Sequence, residues 1–345
     1  MLLAIVHNAG PPLVDCVASW FATLPPLAEV VLVDNASSDA AIDEVAARFP
    51  AVRILRSESN LGYAGGATWG AQWVLEQHPQ LAYLGVINDD VWIEAGALSR
   101  LVDALDARPE WGIVQPRLML AEAPGHINTV GLDWHVLGYG LLRGYGQPAC
   151  DECRDPEPLT VVSGAMFVMR VATLREVGLF APEYFLYGED CDLSLRTRLA
   201  GWGIALLPAA GATHCYTAGS SLRWYEWIEL NRFRLLLTNY RWRTLLVLAP
   251  ALALLELGQW LYALRDGRVL MRCRVWARLC SPATRREVRQ RRTESRALRR
   301  ITDRELLATA VARFPPAQLP LGPLARVGEQ CIALWWRLIR PWLRW

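Results

Sequence analysis

The sequence predicts an α/β fold in which a mainly parallel sheet is covered by helices on both faces. Up to about residue 215, short apolar runs alternate with longer stretches of helical periodicity, as in a series of βαβ units. Polar residues gather where these apolar runs end. Ligands of such sheets bind outside the carboxyl ends of the strands. That edge of the sheet is therefore the predicted functional site.

The strands and helices follow one another closely at the start of the chain. "LLAIV", "EVVLVDN", "VRIL" and "YLGVINDD" are predicted strands because they are short apolar runs rich in β-branched residues. Helical spacing of apolar residues marks "LVDCVASWFATL", "AAIDEVAARF", "GGATWGAQWVLEQH" and "AGALSRLVDALDAR" as helices. The N-terminal run has no basic region and is too short for a signal peptide, so we interpret it as the first strand.

The pattern changes twice further along the chain. Between Leu118 and Thr160 it becomes rich in glycine, proline and aromatic residues, which indicates short strands or an irregular binding loop. "LTVVSGAMFVMR" then predicts a strand, a turn and a strand, and "GIALLP" predicts a short strand before His214. The remainder is helical. We predict two domains, 1–222 with the sheet and 223–345 with helices.

Charge and hydrophobicity also divide the chain. Its net charge is only +2, but residues 1–220 carry 12 Arg against 25 acidic residues, and residues 221–345 carry 24 Arg against 9. The apolar segment from Leu245 to Leu264 is nearly long enough to span a bilayer, which takes about 20 residues. Pro250 and Glu256 argue against an isolated spanning helix, so spanning and lying on the surface both stay open.

An apolar helical region followed by an arginine-rich segment is typical of a peripheral protein on an anionic membrane surface. A buried helical subdomain with a solvated arginine face explains the pattern equally well. Nucleic-acid binding is disfavoured because the other half of the chain is acidic. The eight cysteines are scattered, with one CxxC at Cys150 and Cys153, so a reducing compartment fits better than a disulfide framework or a zinc site.

Two glycine- or serine-rich motifs follow predicted strands. In "VVLVDNASSD", Asp34 could accept the ring N–H of uracil, thymine or guanine, although its serines could simply cap a helix. In "NLGYAGGATWG", Gly62 and Gly65 would let backbone N–H groups approach phosphates at a helix N-terminus. The alternative for this second motif is a tight turn.

Acidic residues mark two further places. In "INDDV", Asn88, Asp89 and Asp90 offer the hard oxygen ligands that Mg²⁺ or Mn²⁺ takes, with phosphate and water completing the coordination. In "FLYGEDCDLSLRTRLAGWG", three acids lie directly before a predicted helix, at Glu189, Asp190 and Asp192. Capping explains one or two of them. The preceding aromatic run suggests a pocket wall where carboxylate pKa values are tuned for proton transfer.

Taken in order, "LAIVHNAG", "VVLVDNASSD", "NLGYAGGATWG", "INDDV", the segment from "VSGAMFVMR" to "GATH" and "ELNRFRLLLTNY" resemble the family 2 inverting glycosyltransferases of GT-A fold. The likeness is to the rhamnosyltransferase-like branch of cell-surface polysaccharide synthesis and covers residues 2 to 240. It implies a GT-A catalytic domain, which is Rossmann-like with a mostly parallel central sheet flanked by helices, and leaves the C-terminal region as an α-helical extension.

The resemblance implies a role for each motif. Asp190 would be the general base that deprotonates the acceptor hydroxyl, and Glu189 would hold that acceptor. Asp90 and His214 would bind a divalent Mg²⁺ or Mn²⁺ on the donor diphosphate. The nucleotide sugar would contact the remaining strand-end residues, namely Asn8, Asp34, Asn60, Gly62, Gly65, Asn88 and Asp89. The chain departs from the family in Asn88, which replaces the first carboxylate of the metal motif, and in Thr68, where the family usually has Asn.

We therefore expect a non-processive transferase that moves a sugar, with rhamnose as the candidate, from a nucleotide diphosphate to a lipid-linked or glycan acceptor. The expected location is the cytoplasm, peripheral on the inner face of a bacterial cell membrane. A processive polysaccharide synthase is the first alternative, but the "TNYRW" segment lacks the Gln of the processive QxxRW motif. The second alternative is a non-catalytic membrane scaffold of a polysaccharide assembly complex.

Overall fold

A computed structural model of the protein describes residues 1–24, 28–150, 155–216, 222–319 and 321–345. Its chain divides into two compact units. The first comprises Met1–Leu132, Leu142–Thr197 and Trp202–Ala218, and the second comprises Asp133–Leu141, Arg198–Gly201 and Gly219–Trp345. Two short segments that the sequence assigned to the first domain thus cluster with the second unit.

The first unit is built on one large mixed sheet. Its strands are β1 (Leu2–Val6), β2 (Val30–Asp34), β3 (Arg53–Arg56), β4 (Tyr83–Asn88), β5 (Val91–Ile93), β6 (Trp111–Leu120), β7 (Ile127–Thr129), β10 (Glu157–Pro158), β11 (Met166–Arg170) and β12 (Gly203–His214). The main order is β10-β12-β6-β11-β4-β1-β2-β3, and β5 and β7 pair with β12 and β6. Strands β8 (Leu132–His135) and β9 (Tyr139–Leu142) form a separate hairpin.

The predicted parallel βαβ units occupy one half of this sheet. β3, β2, β1 and β4 are all parallel, and β6 pairs with β12 in parallel as well. Between these two groups lies β11, which runs antiparallel to both of its neighbours. The largely parallel α/β fold is therefore confirmed, with an antiparallel strand that the alternating pattern does not predict.

Helices cover both faces because successive residues of a buried strand point in opposite directions. The flanking helices are α1 (Pro12–Thr23), α2 (Ala41–Arg48), α3 (Gly62–Gln77), α4 (Ala97–Ala107), α5 (Val171–Val177) and α6 (Glu189–Leu199). Leu2, Ala4 and Val6 of β1 belong to the core with α1, α2 and α4. The opposite face meets α3, whose Gly70 approaches Leu3 so closely that a Cβ there would lie 2.7 Å from the Leu3 side chain.

Several predicted boundaries were wrong near the site. Helix α3 begins at Gly62 instead of Gly65, so both glycines lie in its first turn and not in a loop before it. The fourth strand ends at Asn88, which leaves Asp89 and Asp90 in a turn before β5. The strand expected to be "GIALLP" continues past a bulge to His214 because β5 and β6 extend its pairing.

The second unit is helical. It contains α7 (Leu222–Asn239), α8 (Trp242–Arg265), α9 (Val269–Leu279), α10 (Pro282–Leu298), α11 (Asp303–Leu306) and α12 (Pro323–Ile339). A buried ion network joins α7, α8 and α9, because Arg232 and Arg272 each contact both Glu229 and Glu256. Glu256 thus faces the interior of the unit, which explains how a charged residue is accommodated in the apolar helix α8.

Helix α8 is the one helix in the described ranges that is long and apolar enough to cross a membrane by length and composition. Only 22% of its most apolar 18-residue window is buried. An exposed stripe runs along it at spacings of three and four residues, formed by Trp242, Leu246, Pro250, Ala253, Leu257, Leu261 and Leu264. Its other face packs inside the unit. The Trp335 indole of α12 donates to the Val247 carbonyl at 3.0 Å.

Candidate active site

The loops after β1 and β2 are joined by a histidine and an asparagine. Asn8 adopts a left-handed backbone conformation with φ 56°. Its Oδ1 accepts a hydrogen bond from the Ser38 backbone N–H at 2.7 Å. The neighbouring His7 donates from Nδ1 to the Asn35 carbonyl at 2.9 Å. Asn8 therefore fixes the loop that the sequence assigned to nucleotide binding.

Asn35 is a buried brace that the sequence analysis did not single out. Its Nδ2 donates to Asn60 Oδ1 and to the Gly62 carbonyl, both at 3.1 Å, and its Oδ1 accepts from the Leu61 N–H at 2.8 Å. Asn60 Oδ1 also accepts from the Gly62 N–H at 2.8 Å. The side chains of Asn35 and Asn60 thus shape the entry into α3, where backbone N–H groups are free of helical partners.

Gly62 makes close backbone contact with the loop that precedes the acidic motif. Its φ is +72°, and a Cβ at this position would lie 2.5 Å from the Phe185 carbonyl oxygen. Phe185 and Tyr187 themselves adopt positive φ, at 57° and 66°. Such conformations cost free energy in residues other than glycine and cluster at functional sites. Gly65 is also packed, since its Cβ would lie 3.0 Å from Leu61 Cβ.

Asp34 ends β2 with both carboxylate oxygens engaged. Oδ1 accepts from the Ser37 N–H at 2.9 Å, and Oδ2 lies 3.0 Å from Arg56 Nη1. Arg56 comes from the end of β3 and is half exposed. A base that approaches Asp34 would therefore meet a carboxylate already paired with a guanidinium. The contact between Asp34 and a nucleobase stays a prediction.

The turn after β4 holds acidic and amide oxygens. Asn88 Oδ1 is buried without a hydrogen-bond partner among the described residues. Burial, with the charge of Asp90 as the next cause, raises the pKa of Asp89 to about 7. A bound cation would lower the free-energy cost of both groups, because it would interact with the unpaired amide oxygen of Asn88 and stabilise the ionised form of Asp89. The turn therefore suits a divalent ion or the groups that arrive with one.

His214 faces Asp90 across 3.2 Å, measured from Nε2 to Oδ1. The other ring nitrogen, Nδ1, lies 3.0 Å from Asn128 Oδ1. Since that oxygen can only accept, Nδ1 carries a hydrogen, and Nε2 is the ring nitrogen that faces the Asp90 carboxylate and could bind a metal ion. Two ligands at neighbouring positions of an octahedral ion, each about 2.1 Å from it, lie roughly 3 Å apart. The distance between Asp90 Oδ1 and His214 Nε2 therefore fits two ligands of one metal ion.

The ion site is open. The described residues contain no group of three or more His, Cys, Asp or Glu side chains that could enclose a metal. Asp90 Oδ1 is buried without a hydrogen-bond partner among the described residues, while the Asp90 side chain as a whole is 39% exposed and could admit further ligands. Such openness is what Mg²⁺ sites use when phosphates and water supply the remaining ligands.

Glu189 and Asp190 are the first two residues of α6. Burial raises the pKa of Glu189 to about 8, with the charge of Asp190 as the next cause, and burial also raises the pKa of Asp190. Asp190 is held by the Gly164 N–H at 3.1 Å on Oδ2 and by the Cys191 N–H at 2.7 Å on Oδ1. Glu189 is buried, and its Oε2 has no partner among the described residues.

The third acid of this motif has a structural role. Asp192 is buried and pairs with Arg196 at 2.7 Å, one turn further along α6. Arg196 in turn donates to the carbonyls of Val177 and Leu179. The hydroxyl of Tyr184 also donates to Asp192 at 3.2 Å. Asp192 therefore anchors α6 and leaves the other two acids as the candidates for chemistry.

Both acidic motifs raise the pKa of one tyrosine, Tyr63. Burial raises the pKa of Tyr63 well above its usual value, and the charges of Glu189, Asp190, Asp89 and Asp90 raise it further, in that order. The Tyr63 hydroxyl donates to the Gly164 carbonyl at 2.7 Å. Gly164 thus meets both Tyr63 and Asp190, and acids from sequence positions 100 residues apart share one region.

Aromatic rings extend this region. The ring centroids of His214 and Tyr216 lie 5.7 Å apart, and those of Tyr216 and Tyr145 lie 5.9 Å apart. Tyr187 is close enough to Tyr216 and Glu189 that both raise its pKa, after burial. Thr68, the other departure from the expected motif, exchanges hydrogen bonds with the backbone of Phe180 at 2.7 and 3.1 Å. Thr68 therefore holds the backbone at Phe180 in place.

Comparison with known proteins identifies the architecture. The sequence profile of glycosyl transferase family 2 matches residues 2–178, just over half of the 345 residues. The chain belongs to this family. A solved GalNAc-T7 in complex with UDP, GalNAc and Mn²⁺ superposes with a TM-score of 0.55 and 16% identity, over 69% of this chain and 47% of that one. The fold of this glycosyltransferase is GT-A, and the chain spans about half the length of that structure.

Two curated relatives are similar in sequence. N-acetylglucosaminyl-diphospho-decaprenol L-rhamnosyltransferase of Mycobacterium tuberculosis is 26% identical over 241 residues, which are 62% of this chain and 75% of the relative. Mouse polypeptide N-acetylgalactosaminyltransferase 15 is 27% identical over 237 residues, which are 63% of this chain and 35% of the relative. The rhamnosyltransferase-like resemblance is thereby supported.

The close approach of Gly62 to Phe185 predicts a large effect of a single methyl group. We expect Gly62→Ala to lower the free energy of unfolding by about 1–3 kcal/mol more than Gly146→Ala. Both glycines have φ +72°, but a Cβ at Gly146 would meet no atom within 4 Å. The control therefore isolates the cost of the contact from the cost of the backbone conformation. Denaturant unfolding measures both, and equal losses would contradict the packing described here.

Proposed function

We propose that this family 2 glycosyltransferase is inverting, non-processive and dependent on a divalent metal. It would transfer a sugar, with rhamnose as the candidate, from a nucleotide diphosphate to a lipid-linked or glycan acceptor. The observation that carries the proposal is that Asp90, His214 and Asp190 belong to one unit of a GT-A fold, where Asp90 lies 3.2 Å from His214 and the charges of Asp90 and Asp190 both raise the pKa of Tyr63. The mycobacterial rhamnosyltransferase supports the choice of sugar and of a lipid-linked acceptor.

Asp190 is the proposed general base. It is half-buried, whereas Glu189 is only 6% exposed, so Asp190 is the more accessible of the two carboxylates. Its raised pKa brings its basicity closer to what proton transfer near neutral pH requires. The backbone N–H groups of Gly164 and Cys191 orient the carboxylate. Asp190 would accept the hydroxyl proton as the acceptor oxygen attacks the anomeric carbon, which inverts its configuration.

Glu189 is the proposed acceptor contact. With a pKa of about 8 it is protonated at neutral pH, so it can donate a hydrogen bond to the acceptor. Protonation also keeps a second negative charge away from Asp190, which must itself be ionised to act as a base. The buried pair thus divides its roles as other carboxyl pairs do when the environment separates their pKa values.

Asp90 Oδ1 and His214 Nε2 would hold Mg²⁺ or Mn²⁺. When bound, the ion neutralises charge on the diphosphate leaving group. Asn128 fixes the tautomer and orientation of His214 through its Oδ1, in the manner of residues that support metal ligands. Asn88 cannot add a carboxylate, so the protein ligands are these two side chains. Asp89, next to Asp90, would face the donor and respond to its charge.

We further propose that the protein is cytoplasmic and peripheral on the inner face of the cell membrane. The exposed apolar stripe of α8 supports contact with a membrane surface. α12 adds exposed apolar side chains at Leu324, Val327, Leu334 and Leu338, and Trp342 is exposed in the turn that follows it. Because Glu256 is held by Arg232 and Arg272 inside the unit, α8 is better suited to lie on the surface than to span it.

Asp190→Asn tests the proposed base. The amide keeps the size of the side chain but cannot take the hydroxyl proton, so we expect kcat to fall by on the order of 10² to 10⁴. The Kd of the donor should stay unchanged, and the melting temperature should fall only slightly, because the amide leaves one of the N–H groups of Gly164 and Cys191 without an acceptor. A folded variant with near-wild-type sugar transfer would remove Asp190 from the mechanism.

Glu189→Gln tests the division of roles through pH. In the wild type, Glu189 loses its proton near pH 8 and with it the ability to donate, so the acceptor KM should rise above that pH. The glutamine variant keeps an N–H donor and cannot ionise, so its KM should stay flat through the same range. A wild-type KM that is flat across pH 8, or a variant that keeps the transition, would contradict the acceptor role.

A further inference from the structure

The helical unit contains an arginine-lined cleft that the transfer reaction does not use. The cleft has a volume of about 480 Å³ and is lined by Arg241, Trp242, Arg243, Arg296 and Arg299. Arg241 precedes α8, and Arg296 and Arg299 come from the end of α10. Two stretches of sequence, 241–243 and 296–299, thus bring four guanidinium groups to one concave surface.

The positive charge of this cleft is largely uncompensated. Arg299 pairs with the buried Asp303 at 2.6 Å. No ion pair is formed by Arg241, Arg243 or Arg296 with any acidic residue in the described part of the chain. The backbone N–H of Arg241 donates to Asp303 at 2.8 Å, so this one carboxylate fixes both sides of the cleft. Four like charges held this closely are costly unless an anion binds.

The backbone adds to this potential. Helix α8 begins at Trp242, so the positive end of a 24-residue helix lies among the lining residues. N–H groups of a first helical turn and planar guanidinium groups both bind phosphate oxygens well. The chemistry of the cleft is therefore that of a phosphate site.

The exposed apolar stripe begins inside the same cleft. Trp242 lines the cleft, is 53% exposed and is also the first residue of the stripe, followed one turn later by Leu246, which is 72% exposed. Arg292 lies 4.2 Å from the Trp242 ring centroid and supports it from the protein side. Tryptophan and arginine at the end of an apolar stripe are typical of the boundary between lipid headgroups and acyl chains.

We propose that this cleft binds the phosphate group of an anionic membrane lipid, whose acyl chains lie along the exposed stripe of α8. A free phosphate would use the guanidinium groups but not the stripe. A second copy of the chain would cover the stripe, but the stripe consists of apolar side chains and would bring no anion to the arginine cleft. The inference rests on the proposed membrane contact and adds a specific headgroup site to it.

The test compares two triple variants of the full chain. Arg241→Gln, Arg243→Gln and Arg296→Gln together empty the cleft of three charges. Arg285→Gln, Arg286→Gln and Arg289→Gln remove three exposed charges from α10 outside the cleft. Flotation measures binding to vesicles of phosphatidylcholine alone and of phosphatidylcholine with phosphatidylglycerol, at one ionic strength. Melting temperatures check folding, and Arg296→Gln alone serves if the cleft triple does not fold.

We expect the wild type to prefer the phosphatidylglycerol vesicles. The cleft triple should lose roughly a hundredfold in affinity for them, since each arginine near an anionic surface contributes about fivefold, and the control triple should lose much less. Arg296→Gln alone should lose about fivefold by the same reasoning. Donor hydrolysis should be unchanged in all variants, which separates this inference from the proposed catalysis.

Equal losses in the two triples would overturn the cleft while leaving the membrane contact in place. Equal wild-type binding to both vesicles would assign the contact to the apolar stripe alone. Stabilisation by inorganic phosphate without vesicle binding would identify a free anion as the ligand. A concentration-dependent dimer that ignores vesicles would identify a second copy as the occupant. Each of these results contradicts the proposal.

Discussion

The candidate active site depends on the electrostatic free-energy cost of placing several carboxylates together at the edge of the sheet. Asp89, Asp90, Glu189 and Asp190 all act on the pKa of Tyr63 and are themselves wholly or partly withdrawn from solvent. Their mutual repulsion is relieved by protons and by cations. The proton is accounted for by Glu189, whose pKa is raised to about 8. The proposed cation would lie between Asp90 Oδ1 and His214 Nε2, which are 3.2 Å apart.

The rest of the catalytic unit holds these groups in place. Asn35 and Asn60 shape the entry to α3, and Gly62 then lets that entry touch Phe185. The strained loop that contains Phe185 leads directly to Glu189 at the start of α6. Strain of this kind persists only where the surroundings over-determine the backbone. The glycine that sequence reasoning assigned to phosphate binding thus also positions the acidic motif.

Sequence patterns predicted the structural features that depend on residues close together in the chain. The βαβ alternation indicated the parallel half of the sheet, and the polar ends of its strands indicated where Asp34 and Asp90 would lie. Resemblance to a family then indicated Asp190 and His214. The segment of β11 was predicted as a strand, but its antiparallel direction was not, because its pairing joins segments that are far apart in the chain. Arg56 beside Asp34 and Asn128 beside His214 were missed for the same reason, since partners 22 and 86 residues away leave no local pattern.

The central claim is that a metal ion compensates the negative charge of the carboxylates at this edge of the sheet. A crystal structure of the chain with Mn²⁺ and a nucleoside diphosphate tests this claim most directly. UDP, dTDP and GDP are suitable because each base offers a ring N–H to Asp34. The account predicts an anomalous peak for manganese within about 2.3 Å of both Asp90 and His214 Nε2, with diphosphate oxygens on the same ion. An ion held only by diphosphate and water, with His214 hydrogen-bonded directly to Asp90, would contradict it.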